Sequence, residues 1–301
     1  MDHNAAPNSP RRNAAHGRAH DGSGNTSSHP NGCRRVNRTG DRAQAQPNAL
    51  RVAWSILLAS RKRRPDPQGD GTVDHRRLAS VLSTLRGRGI QGLTEEITAL
   101  AAYRDDLATL DPDLLSRDEA FAYWVNLYNA GALHLAAEAS TSERSSVLRI
   151  PGGFRRTWAT VAGETLSLDD IEHGKVRRFG DPRIHGALVC GSASCPTLRY
   201  VPFSGTGLDE QLETQMRSFL AAGGARTDRG AGTLALSRIF LWYGGDFARP
   251  SSMPTWLPPR RRRLAAAVSQ WLPESERSWV LGSKPKIEFA AYDWALDCSI
   301  A

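Results

Sequence analysis

The stretch Asp118–Ala139 constrains this chain most. Its residues Phe121, Trp124, Val125, Tyr128, Ala132, Leu133 and Ala136 recur at helical spacing. They form a stripe too wide to leave in water, so other elements must pack around this helix. Leu78, Val81, Leu82 and Leu85 supply one further helix face, and Leu93–Leu107 supplies another.

Downstream the pattern is mixed. Trp158–Leu168 reads as a hairpin around Gly163. Ser167 is placed to cap a helix over Asp170–Arg178. Arg183–Val189 reads as a short apolar strand, Leu208–Leu220 as an amphipathic helix and Thr233–Leu236 as a strand. Arg238–Phe247 and Arg260–Trp271 read as helices, and Ile287–Leu296 as a strand or extended arm. Helices and strands do not alternate as a doubly wound sheet requires. The expected class is α+β: one domain over residues 65–301, with helices packed on a small, mostly antiparallel sheet.

Residues 1–48 lack large apolar side chains and cannot offset their ordering entropy, so they are expected to be disordered. Residues 1–64, the tail with a short linker helix over residues 49–60, hold 12 Lys+Arg against 3 Asp+Glu. The remaining residues are near neutral, with 27 basic and 28 acidic. The net charge of +8 therefore sits in the tail, which could bind polyanions weakly and with strong salt dependence. It does not mark the domain as a nucleic-acid binder.

The four cysteines, Cys33, Cys190, Cys195 and Cys298, are too few for a disulfide scaffold. Reduced thiols and a cytoplasmic setting are expected. No segment is long and apolar enough to cross a membrane. Asp66–Asp74 begins like a calcium loop, but Arg77 stands where a bidentate Glu is required.

Reactive side chains concentrate between Asp169 and Pro196. His185 would lie on the strand that feeds the loop Cys190-Gly191-Ser192-Ala193-Ser194-Cys195. Pro196 suits a first helical position, so Cys195 could sit at a helix N-terminus, where aligned amides favour a thiolate. Cys190 reads as a small core hydrophobe. The catalytic candidates are Cys195 as nucleophile, His185 or His173 as base, and Glu172 to orient an imidazole. Asn126 and Asn129 share a face of the long helix; with Arg183 and Ser194 they are the candidate binding residues. A zinc site from Cys190, Cys195, His185 and His173 would need an unusually wide Cys spacing and has no second Cys pair. No metal or cofactor is expected.

Several segments resemble the domain of unknown function 547 family. Residues 121–130 (FAYWVNLYNA), 166–174 (LSLDDIEHG) and 179–196 (FGDPRIHGALVCGSASCP) are similar to three of its motifs. Residues 236–247 (LSRIFLWYGGDF) and 292–296 (YDWAL) are similar to two more, with Asp297 where Asn is usual. The resemblance runs from about residue 72 to 297. It implies a family whose activity is not established. No leucine zipper is present, so the coiled-coil partnering of plant members is not implied. Two expectations follow. One is a cysteine-dependent hydrolase or acyl transferase acting on an unknown substrate. The other is a non-catalytic module that binds an unknown protein partner.

Overall fold

The computed structural model describes residues 49–59, 61–255, 257–297 and 300. The expected disorder of residues 1–48, with Cys33, and the placement of Cys298 lie outside the described residues. Helix α1 (Ala49–Ala59) is followed by α2 (Arg76–Glu95), α3 (Ile97–Ala108) and the long α4 (Arg117–Thr141). Strands β1 (Thr157–Val161) and β2 (Glu164–Ser167) lead into α5 (Leu168–Gly174), α6 (Ile184–Ala187) and α7 (Leu208–Phe219). Then come β3 (Ala225–Asp228), β4 (Thr233–Leu236), α8 (Ile239–Trp242), α9 (Gly244–Ala248), α10 (Arg261–Val268), α11 (Glu274–Ser283) and β5 (Lys286–Phe289). The class is α+β.

Helix α4 is the axis of the first core. Ser116 caps it by accepting from Glu119 N–H, and Asp118 and Glu119 complement the positive end of its dipole. Every residue from Glu119 to Leu133 is buried. α2 and α3 pack along it, and so does the β1–β2 hairpin. The hairpin approaches closely only because residue 131 is glycine. A Cβ there would stand 2.5 Å from Leu168 Cδ2 and 2.8 Å from the Trp158 ring. Trp158 Nε1 donates to Leu127 O at 3.1 Å, which seals the contact. The hairpin turn puts Ala162 at φ 47° and Gly163 at φ 78°, the doubly left-handed geometry of a tight two-residue loop.

A second apolar cluster lies around the three-stranded sheet β3-β4-β5, in which β3 pairs antiparallel and β5 parallel with β4. Phe240, Phe247, Trp271, Tyr292 and Trp294 fill it.

Five sequence expectations change. Arg183–Val189 is not a strand: Asp181 Oδ1 accepts from Arg183 N–H at 2.9 Å and opens the single turn α6. Four buried residues are too few to show helical periodicity. The helix over Asp170–Arg178 begins at Leu168 and ends at Gly174, followed by a tight turn to Phe179 that Gly180 (φ 81°) terminates. Arg238–Phe247 is two short helices, split at Tyr243. Pro196 starts no helix, since the chain is irregular from residue 196 to a single tight turn at Gly205–Gly207 before α7. Finally α1, expected as a linker outside the domain, packs on α5. Ser55 Oγ donates to Asp169 at 2.8 Å, and a Cβ on Gly174 would meet Ala59 O at 2.9 Å.

Candidate functional site

Two polar clusters are built between the cores. The first is an ion pair with its attendants. Arg177 follows α5 and is 0% exposed; Asp246, on α9, is 0% exposed as well. They meet in a two-pronged bridge, Nε to Oδ2 at 2.7 Å and Nη2 to Oδ1 at 2.8 Å. Arg177 also donates to Thr255 O at 2.9 Å, and Asp246 accepts from Thr255 N–H at 3.1 Å. A buried ion pair persists only when such extra bonds occupy its remaining donors and lone pairs.

Both candidate histidines belong to this cluster. His185 Nε2 lies 2.9 Å from Asp246 Oδ2, and its ring stacks on Tyr243 at 4.2 Å. His173 Nδ1 lies 3.1 Å from Arg177 Nη1. Burial pushes both imidazoles below their ordinary range. The charge of Arg177 adds to this at His173, while the Asp246 bond partly opposes it at His185. Asp246 is held down at about 2: burial opposes its charge, but His185 and Arg177 outweigh that. The imidazoles are therefore neutral supports of a fixed charge pair.

Glu172 lies beside them. Its Oε1 is 3.5 Å from His173 Nδ1, and its Oε2 accepts from Tyr128 Oη at 3.3 Å. Burial raises this carboxyl to about 7, against the pull of Arg177 and of bonds from Tyr243 and Tyr128. Glu172 is thus an acid that changes charge near neutral pH.

The second cluster is the thiol loop. Gly191 takes φ 74°, and a Cβ there would meet Ala136 at 3.1 Å, so the loop folds back tightly against α4. Cys195 Sγ accepts from Cys190 N–H at 2.9 Å and from Tyr292 Oη at 3.4 Å. Ser192 adds bonds from its backbone and side chain. Cys190 Sγ lies 3.1 Å from Ser192 Oγ and 3.3 Å from Tyr292 Oη. Burial disfavours a Cys195 thiolate, yet the bonds from Cys190, Tyr292 and Ser192 outweigh it and lower this thiol to about 6. Cys190 moves the other way, raised first by its bond to Cys195 and then by burial. Both thiols are free and half-buried.

The four catalytic candidates therefore divide between neighbouring clusters. Among the described residues, the hydrogen-bond partners of the Cys195 sulfur are Cys190, Ser192 and Tyr292, and no imidazole is among them. Arg177 Nη1 lies against His173 and Asp246 against His185 instead. The expected helix N-terminus at Cys195 is replaced by this cradle. Tyr128 stands between the clusters: burial, then Glu172, Cys190 and Cys195, each oppose its ionisation.

The candidate binding residues make internal bonds. Asn129 clamps the chain leaving α6, donating to Ala187 O and accepting from Val189 N–H, both at 3.1 Å. Asn126 turns to another segment, donating to Phe203 O at 2.8 Å and accepting from Phe203 N–H at 3.0 Å. Arg183 pairs with Asp181 and Asp209 at 2.7 Å each, near the surface. Ser194 Oγ accepts from Asp293 N–H at 2.9 Å and pins the C-terminal arm. Sequence reasoning missed Tyr292, Tyr243, Asp246 and Arg177. Asp246 is an acid set among glycines and aromatics, which was a usable signal. Arg177 was hidden beside Arg178 in what reads as a solvated pair.

Cys195 lines a shallow cleft, enclosing about 10 Å³, together with Ala132, Leu133, Gly191, Ser192 and Leu198. Among the described residues, no group of three or more His, Cys, Asp or Glu side chains could hold a metal ion, and no helix is long and apolar enough to cross a membrane.

Neither curated proteins nor solved structures yield a match to the chain. Residues 112–220 match the family described as Protein of unknown function, DUF547, a segment that holds both thiols, both histidines and Glu172 but not Tyr243, Asp246 or Tyr292.

Proposed function

We propose that the domain is a cysteine-dependent enzyme, in which the Cys195 thiolate takes a group from an electrophilic substrate entering the adjoining cleft. The observation that carries this reading is the 2.9 Å bond from Cys190 N–H to Cys195 Sγ in a cradle that also includes Tyr292 and Ser192. Such donors stabilise a charged sulfur, and the thiolate is the nucleophilic form. No separate base is needed when the nucleophile is already ionised. The Cys190 thiol and the Tyr292 hydroxyl are the nearest protons for a departing group. An acyl transferase or hydrolase in which His185 or His173 is the base has less support, since Asp246 and Arg177 engage those rings. A reducing, cytoplasmic setting would keep both thiols available.

The test is the rate at which Cys195 is alkylated by iodoacetamide across pH, followed by peptide mapping. The expected midpoint is near the value of about 6, against ~8.5 for an unperturbed thiol. Tyr292→Phe should move it upward, while His185→Ala should leave it nearly in place. An ordinary midpoint in the wild type would refute the nucleophile and favour the alternative, a protein-binding module built on the same fold.

A further inference from the structure

The second thiol is not explained by a nucleophile alone. Cys190 and Cys195 both lie against the hydroxyl of Tyr292, at 3.3 and 3.4 Å, and Cys190 N–H donates to Cys195 Sγ at 2.9 Å. The four residues between them, Gly191, Ser192, Ala193 and Ser194, are all small. The two thiols, both half-buried, differ in surroundings. Cys195 is part of the cleft lining and Cys190 is not; Cys190 packs instead against the aromatic cluster of Tyr292 and Trp294.

We infer that Cys190 and Cys195 act together as a redox dithiol, and that the electrophile met by Cys195 is a sulfur atom of a low-molecular-weight disulfide. This rests on the reading of Cys195 as the nucleophile and names its substrate class. The Cys195 thiolate attacks one substrate sulfur, the substrate S–S bond breaks, and the first half departs as a thiolate that takes a proton from solvent. Cys195 then holds the second half as a mixed disulfide. Cys190 loses its proton, and its sulfur attacks Cys195 Sγ. The second half leaves as a thiolate and picks up that proton. The protein dithiol is oxidised by two electrons, and the substrate disulfide is reduced to two thiols. A small dithiol reverses the sequence. The cleft encloses only about 10 Å³, so a substrate sulfur must reach Cys195 from the open side, which a slender small disulfide can do and a folded polypeptide loop cannot. Attack through the sulfur that lines the cleft and resolution by the other is the order that this placement sets.

The experiment uses the full chain and bis(2-hydroxyethyl) disulfide, a neutral probe. Acid quenching and peptide mapping by mass then follow Cys190 and Cys195 separately from Cys33 and Cys298. In the wild type the expected product is an intramolecular Cys190–Cys195 bond with no retained hydroxyethylthio group, reopened by dithiothreitol. In Cys190→Ala the adduct should stay on Cys195, and in Cys195→Ala Cys190 should remain unmodified. A wild-type adduct that persists on Cys195 with Cys190 still free would overturn the dithiol while leaving the nucleophile intact. A Cys195 that reacts no faster than a free thiol in the wild type would overturn both.

Discussion

Glu172 offers a direct test of the buried charge arrangement. The perturbation is Glu172→Gln, which keeps an acceptor for the Tyr128 hydroxyl but cannot ionise. In the native state the carboxyl is raised from 4.5 to about 7, first by burial. Between those values the folded protein holds a proton that the unfolded chain has released, so wild-type stability falls as pH rises through this window. The gap corresponds to ~3 kcal/mol, or ~1.4 kcal/mol for each pH unit. This stabilisation is fully present below the unfolded value and gone above the folded one. The groups facing Glu172 are Tyr128 from α4, Tyr243 beside α9, and Arg177, His173 and Asp169 from its own neighbourhood. His173 and His185, held neutral by burial, contribute the opposite slope, losing stability as pH falls through the ordinary histidine range. That slope is common to both proteins and cancels in their difference. Urea unfolding of wild type and variant, from about pH 5 to about pH 8, reads the quantity directly. The wild type should lose about 2.5 kcal/mol relative to Glu172→Gln across that range. A difference that stays flat would show that Glu172 ionises in the ordinary carboxylate range, and the acidic proton between the two clusters would have to be abandoned.

Asp246→Asn strands the Arg177 charge in the core and should cost about 3–5 kcal/mol in urea unfolding. Arg177→Met combined with Asp246→Leu should cost less than that single change, because no unpaired charge remains. Asn129→Ala leaves Val189 N–H and Ala187 C=O without their partner and should cost about 1–3 kcal/mol. Amide exchange at Val189 should quicken in the same variant, and an unchanged rate would mean that the clamp is not what orders the chain before the thiol loop.

The long helix α4 was legible because its apolar residues recur over many turns, and tertiary packing agrees with that local pattern. The hairpin at Gly163 and the Ser167 cap were legible because each rests on a short-range rule. α6 was not, since one buried helical turn and one buried strand present the same run of apolar residues. At the site, the sequence pointed to Cys195 by its surroundings of small residues and Pro196, although the predicted cause, a helix end, is absent. The partners that engage the two histidines lie on α9 and after α5, and the partner of the thiols lies on the C-terminal arm. No local pattern connects Asp246 to Arg177, 69 residues earlier, or Tyr292 to Ser192 across 100 residues.

The C-terminal arm gives the thiol loop a dependence on time as well as on place. The loop is held by Ser192 pairing with Leu296, by Ser194 bonding Asp293 and by the Tyr292 hydroxyl. Contacts so distant along the chain carry a loop-closure entropy that the local helices do not, so the arm is expected to dock after them. Before the arm docks, Cys195 lacks the Tyr292 donor and the anchored loop that present Cys190 N–H to it. Its sulfur is then an ordinary thiol, mostly protonated and slow to react. On the reading proposed above, a chain whose arm has not docked would lack its nucleophile, and local release of the arm would silence the site without unfolding the core.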